Sequence, residues 1–262
     1  MIIRQIRNAT LYITYGGKEF LLDPMLGGKG SQKPFPNSPR QELRNPLADL
    51  PCAASELIHP DYVIITHLHR DHFDRAAAEL LDKDLPIFIQ NEDEEEKIRS
   101  KYGFTCVTAL EDGCPAEVPC GEGFEGNIRI YRIPAQHSEG KMAEMSGPAC
   151  GAVFHCPGEK TLYVTGDTVW YPPVEEAVRT HQPEVIVANA GENLVYGYPP
   201  LIMGKEGVRN IAAAAPGAVI IASHMESLNH YMLSKADLRA YAEEKGFSDR
   251  LRIPEDGERI SL

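Results

Sequence analysis

An apolar run that stops in a cluster of histidines and aspartates constrains this chain more than any other stretch: Tyr62-Val63-Ile64-Ile65-Thr66-His67-Leu68-His69-Arg70-Asp71-His72-Phe73-Asp74. Tyr62 to Ile65 is short, β-branched and bounded by polar residues, which predicts a buried strand. His67 and His69 stand two positions apart, so along extended backbone their imidazoles project to the same side. Beyond them Phe73, Ala76, Ala77, Leu80 and Leu81 recur at helical spacing, predicting a helix over Asp71–Leu81 with a carboxylate at its positive end. Imidazoles and carboxylates crowded into one half-buried turn need hydrogen-bond or metal partners. The plain alternative is a polar strand-to-helix turn whose histidines are incidental.

The rest of the chain repeats one device. Strands end in Asp23 (after Lys18–Leu22), His137 (after Asn127–Ile133), Asp167 (after Thr161–Thr165), Asn189 (after Glu184–Ala188) and His224 (after Ala218–Ala222). Residues at the carboxyl ends of neighbouring strands converge in α/β proteins, where such ends carry the chemistry. Gly16-Gly17 predicts a hairpin turn between two early strands. Helices are predicted over Glu92–Tyr102, Pro173–His181, Gly204–Ala215 and Lys235–Lys245, the acidic run Glu92 to Lys97 being a solvated face. Met25 to Pro51, rich in Gly and Pro, predicts a long irregular loop that forms a lid, a substrate-lining wall or a plain surface excursion. Glu139 to Gly147 reads as a polar bridge.

With 262 residues, 43% hydrophobic and 24% charged, the chain is an ordinary globular protein, and no break in composition divides it, so one domain over 1–262 is expected. Lys plus Arg number 26 against 38 Asp plus Glu, a formal net charge of −12. That field repels polyanions, so nucleic acid and anionic membranes are not expected partners, whereas a small-molecule substrate is; self-association is left open. No export signal opens the chain, and no apolar stretch approaches the roughly 18 residues of a membrane span, so a cytoplasmic protein is expected. The six cysteines form no C-x-x-C pair, which suits reduced thiols; Cys114 and Cys120 are the two that an oxidising compartment could bridge.

The converging residues make up the set a two-cation centre needs. His67, His69 and His137 can hold one cation, Asp71, His72 and His224 the other, and Asp167 can bridge them. Nitrogen and oxygen donors without thiolate suit zinc first, with manganese, iron or nickel also compatible. Two divalent ions about 3.5–4 Å apart would share a water and lower its pKa toward roughly 7. An iron pair with a redox role is the alternative chemistry, although no flavin or iron–sulfur signature accompanies it.

Thr66-His67-Leu68-His69-Arg70-Asp71-His72, taken with His137, Thr165-Gly166-Asp167-Thr168 and His224, closely resembles the signature of the metallo-β-lactamase superfamily over essentially the whole chain. The resemblance implies an α/β (α+β) protein, the four-layer αββα sandwich of that type, with two divalent metal ions. Asp23-Pro24, Asn45-Pro46-Leu47, Asp71-His72-Phe73-Asp74 and Gly166-Asp167-Thr168-Val169-Trp170 are most similar to the branch that includes ascorbate-6-phosphate lactonase. That implies a hydrolase acting on a small ester, lactone or phosphoester through a metal-activated hydroxide. A catalytically silent metal-binding or sensor protein and a diiron oxidoreductase are the alternatives on the same fold.

Asp71, Asp167 and His230 are the candidates for direct participation in catalysis. His230 lies in the loop after His224, where a substrate contact or proton donor competes with a structural role. Asn189, Glu192 and Trp170 are candidate substrate contacts, Trp170 and its neighbour Tyr171 being equally suited to a core. Asp23 suits a carboxylate that orients a ligand histidine. Asp74 reads as a helix-face residue, and His59, His155 and His181 as surface or structural histidines.

Overall fold

The computed structural model describes residues 1–262. Gly16 and Gly17 both take positive φ (+56° and +74°), the left-handed pair that a tight two-residue hairpin demands. They join β2 (Thr10–Tyr15) to β3 (Lys18–Leu22), and β1 (Ile2–Arg7) pairs antiparallel with β2. β3 then runs parallel to β4 (Tyr62–Ile65), followed by parallel β5 (Ile87–Ile89) and β6 (Val107–Ala109). In the second half β7 (Ala116–Pro119), β8 (Asn127–Ala135), β9 (Ala149–His155) and β10 (Leu162–Val164) are antiparallel neighbours, and β11 (Val185–Asn189), β12 (Val219–Ser223) and β13 (Leu251–Arg252) extend the sheet in parallel. The last strand, β14 (Arg259–Ser261), returns to pair with β1. Two seven-stranded sheets result, ordered β14-β1-β2-β3-β4-β5-β6 and β13-β12-β11-β10-β9-β8-β7.

Ile3, Leu11, Ile13, Phe20 and Ile64 of the first sheet pack against Ile128, Ile130, Phe154, Leu162, Val185 and Ile221 of the second, so the two sheets meet face to face. Outside the first lie α1 (Arg75–Leu80) and α2 (Glu92–Tyr102), over Val63, Ile65, Ile87 and Ile89. Outside the second lie α4 (Pro172–His181), α5 (Lys205–Ala214) and α6 (Lys235–Lys245), over Tyr163, Ile186 and Ile220; the short α3 (Gly140–Ser146) precedes β9. This is the expected αββα sandwich. None of its helices is long and apolar enough to cross a membrane.

Several local expectations change. The helix predicted from Asp71 begins at Arg75, because Asp74 is its N-cap: the Asp74 carboxylate accepts from Ala77 N and also from Leu26 N and Gly27 N. Asp74 is therefore no helix-face residue, and Asp71 stands in a turn ahead of the helix. Glu94 leaves the solvated acidic face of α2 and is buried, with one oxygen accepting from Leu68 N (3.4 Å) between His67 and His69 and the other unpartnered. Burial raises its pKa. The Glu139–Gly147 bridge contains α3.

The 25–51 segment is irregular, as expected, but fastened. The buried Arg7 guanidinium donates to the carbonyls of Met25, Gly27 and Ala48, and the Asn229 side chain is bonded to Phe35 N, Asn45, Ser38 and Pro39 O. It is a wall rather than a lid.

Candidate metal centre

β3 and β4 are parallel neighbours, so Asp23 leaves one strand beside the point where Thr66 leaves the other. The buried Asp23 carboxylate accepts from Thr66 N and Thr66 Oγ1, both at 2.8 Å. Three residues on, the His69 carbonyl accepts from His72 N and Phe73 N (2.9 Å each), a tight turn that folds Asp71 and His72 back toward the strand end. The second sheet supplies His137 after β8, Asp167 after β10 and His224 after β12, the last with φ of +60°.

These side chains meet. His67, His69 and His137 present their ligand atoms within 4.8 Å of one another, as do Asp71, His72 and His224, and His67, His72 and Asp167. Asp167 lies between the groups: Oδ2 is 3.2 Å from His72 Nε2 and 3.4 Å from His137 Nε2, while Oδ1 is 3.3 Å from His224 Nε2. Asp71 Oδ2 is 3.6 Å from His224 Nε2. All seven predicted ligands are in this cluster.

The hydrogen bonds of the rings decide which lone pairs are free. His72 Nδ1 faces Asp23 Oδ2 at 2.8 Å, so Nδ1 carries the hydrogen. His137 Nδ1 likewise donates to Leu201 O at 2.8 Å. Thr66 Oγ1 gives its hydrogen to Asp23 and accepts from His67 Nδ1 at 3.2 Å. Tyr231 OH gives its hydrogen to Asn8 Oδ1 and accepts from His224 Nδ1. In the neutral rings of His67, His72, His137 and His224, Nε2 is thus the acceptor, and His137 Nε2 lies 3.3 Å from His69 Nδ1. His67 Nε2 is buried with no partner, and His72 Nε2 and His224 Nε2 face each other at 2.9 Å. Lone pairs so placed need positive charge between them, and the donor set with its orphaned nitrogen fits divalent cations.

The electrostatics agree. Burial, then the neighbouring His72 and His69, hold His67 well below the usual imidazole range; burial and His137 lower His69 to about 4. Burial would also lower His72, but Asp167, Asp23 and Asp71 outweigh it and raise His72 well above 6.5. Burial would raise Asp167, yet His224 and His72 hold it well below the carboxylate range. His67 and His69 are thus neutral and Asp167 ionised, as metal binding requires, and the carboxylate charge that holds a proton on His72 is the charge a cation would take up in exchange for it.

The centre opens into a cavity of about 550 Å³ lined by His69, Asp71, His137, Asp167 and His230, with Phe35, Leu68, Met142, Met145, Val195, Tyr198 and Leu201 supplying apolar wall. The His230 ring packs tilted against Phe35 (centroids 4.4 Å apart), its Nδ1 has no partner, and burial lowers its pKa to about 3. The other three candidate contacts are elsewhere. Asn189 is buried behind the centre, its amide donating to Asp167 Oδ1 (2.7 Å), where it orients that carboxylate. Trp170 packs with the helices on the outer face of the second sheet, and Glu192 stands beside Gly204 outside the cavity. Tyr231, Asn8, Leu201 and Glu94 were not singled out as supports of the ligands. Only Tyr231 carried a signal, its place next to His230.

A two-sheet sandwich with His and Asp side chains gathered at the strand ends defines a metallo-hydrolase of the β-lactamase fold. A model of the β-lactamase superfamily domain matches residues 18–225. UPF0173 protein YddR of Bacillus subtilis (strain 168) is 44% identical over 260 residues, 98% of each chain. Among solved structures, an isothiocyanate hydrolase from Delia radicum gut bacteria superposes with a TM-score of 0.92 at 40% identity, covering 100% of this chain and 99% of that one. A possible metal-dependent hydrolase from Veillonella parvula DSM 2008 gives 0.93 at 32% identity, again over 100% and 99%. The chain belongs to the β-lactamase superfamily domain family and, within it, to the metal-dependent hydrolases.

Proposed function

We propose that this protein hydrolyses a small, uncharged, largely apolar substrate at an electrophilic carbon, with two divalent cations, zinc foremost, held by His67, His69, His137, Asp71, His72, His224 and Asp167. The observation that carries the reading is the cavity, where apolar walls end on the ligand cluster. Bound there, the cations would supply a nucleophilic hydroxide near neutral pH and stabilise developing negative charge.

Of the substrates that the resemblance implied, esters and lactones suit this wall better than phosphoesters. Arg70 is the one cationic side chain lining the cavity, and its guanidinium lies over Phe35 (4.2 Å to the centroid) and donates to Pro34 O (3.0 Å). The 40% identical neighbour adds isothiocyanates as a substrate class, and they match the same uncharged, apolar description. Water oxygen bonds to the central carbon, the two water protons pass in turn to the nitrogen, and C–N cleavage releases an amine and carbonyl sulfide. His230 is the candidate partner for the reacting heteroatom: a neutral imidazole that burial keeps from titrating near pH 7, it offers a hydrogen bond rather than a charge.

The test is a panel of benzyl isothiocyanate, phenyl acetate, a γ-lactone and a phosphodiester, offered to zinc- and manganese-loaded protein. Turnover of the isothiocyanate or the carboxylic esters, with amine or acid released in step, supports the proposal. Metal-loaded, folded protein inert toward all four, or active on the phosphodiester alone, overturns it.

A further inference from the structure

Cys114, one half of the pair that an oxidising compartment could bridge, lies in an exposed turn. The sulfur set against Cys120 belongs instead to Cys156, 36 positions along the chain, with the two Sγ atoms 3.2 Å apart. Cys120 follows β7, and its amide donates to Gly126 O (3.0 Å) just before β8; Cys156 follows β9, whose last residue, His155, pairs with Arg129 of β8. The two thiols thus come from the strands flanking β8, level with its start. No other two cysteine sulfurs are in hydrogen-bond contact. The Gly16–Gly17 turn presses from one side: a Cβ at Gly16 would lie 2.8 Å from Cys156 Sγ. One thiol is half-buried (Cys120) and the other buried (Cys156), at the rim of the inter-sheet core.

We propose that Cys120 and Cys156 are an oxidation site, closed to a disulfide by hydrogen peroxide, that staples β7 to β9 at the end of the second sheet. The more exposed Cys120 sulfur attacks peroxide; the O–O bond breaks, one water leaves, and Cys120 becomes a sulfenic acid. The Cys156 sulfur then attacks the Cys120 sulfur, the S–O bond breaks, and a second water carries away the remaining thiol proton. Two electrons pass from the thiols to the peroxide. The sulfurs have about 1.1 Å to travel to bonding distance.

Burial, with the Cys120 thiol alongside, pushes Cys156 up to about 12, so little thiolate is available and Cys156 is also a poor leaving group. The bond therefore forms slowly and is reduced slowly, as a lasting staple does and a rapid sensor does not. Closing a loop of this size raises the melting temperature by an amount on the order of 5–10 °C.

The experiment treats metal-loaded protein with a small excess of hydrogen peroxide and maps the cysteines by mass spectrometry without reduction. A peptide pair joined through Cys120 and Cys156, 2 Da lighter than the two thiols, is expected. With it come a raised melting temperature that dithiothreitol reverses and loss of both changes in Cys120→Ser and in Cys156→Ala. Both variants are expected to keep the hydrolytic turnover of the parent. The proposal is overturned if both thiols stay alkylatable while the exposed Cys106 and Cys114 are oxidised, or if Cys120 passes to the sulfinic acid without joining Cys156.

Discussion

Two pairs of imidazoles in this molecule approach equally closely and mean different things. His155 Nε2 lies 3.1 Å from His181 Nδ1 at the surface, and His72 Nε2 lies 2.9 Å from His224 Nε2 in the centre. In the outer pair the tautomers close. Thr161 Oγ1 donates to His155 Nδ1 (3.2 Å), His155 Nε2–H donates to His181, and the remaining His181 nitrogen is left with a hydrogen of its own. Two neutral rings and one hydroxyl account for every contact. In the inner pair Asp23 and Tyr231 already hold both Nδ1 hydrogens, so two acceptors confront each other in the neutral rings and the contact calls for positive charge, a proton on His72 or a cation in its place. Nitrogen separation alone does not identify a metal ligand; what the far side of each ring is bonded to does.

The sharpest way to break this comparison is to remove the carboxylate that touches both halves of the centre. Asp167→Asn should lower cation affinity by more than about 100-fold and abolish turnover, read by metal analysis after dialysis against a chelator and by rate. Chelation of the parent should have the same effect on rate, restored by zinc or manganese. An Asp167→Asn protein that retains two cations would show that the cluster is a hydrogen-bonded network like the outer pair.

Next in size is Asp23→Asn, which replaces no proposed ligand but takes the carboxylate from His72 Nδ1. A loss of about 10–100-fold in affinity is expected for the cation held by Asp71, His72 and His224, with the three-histidine group nearly unaffected. Equal weakening of both, measured by competitive titration, would contradict the division into two groups.

Tyr231→Phe is milder. It leaves His224 Nδ1 and Asn8 Oδ1 without their shared phenol, and the unfolding free energy should fall by about 1–3 kcal/mol, with a smaller drop in affinity than for Asp23→Asn. Denaturant melts with and without metal separate the two effects.

The smallest effect belongs to the outer pair. Burial lowers the pKa of His155, aided by His181 and Arg129, and burial alone lowers that of His181. The unfolded rings take a proton near 6.5 and the folded ones below that, so the pair's contribution is fully present above pH 6.5 and is lost as pH falls through the folded values. His181→Gln should therefore flatten the stability profile slightly between pH 7 and 5. A profile identical to the parent's would mean that the pair does not titrate on folding.

How much of this was legible depends on how far apart in the chain the partners lie. The strand-end histidines could be seen because the alternation of β4 and the turn that follows it are local. Asp74 as an N-cap could have been recognised from its position before Arg75, but its bonds to Leu26 and Gly27 could not, since nothing in 71–81 announces a loop folded against it. Asn189, read as a substrate contact, lies under Asp167 because parallel β10 and β11 put their ends side by side with one residue pointing inward. Trp170 is half-buried against the helix layer on the far side of the second sheet from the inter-sheet core.

By itself the sequence determined the ligand chemistry and its order: which strands end in His or Asp, and that together they suit divalent cations. Periodicity and motif spacing are local properties, readable along one chain. Only the tertiary structure decided the tautomers, because Asp23 and Leu201 reach their histidines across 49 and 64 positions, and Tyr231, 7 positions from His224, is itself held by Asn8 across 223. It also decided that Glu94 is buried, that the 25–51 segment is tied down and that Cys120 meets Cys156. Contacts of that range arise when two sheets pack face to face, and nothing local in the chain encodes them.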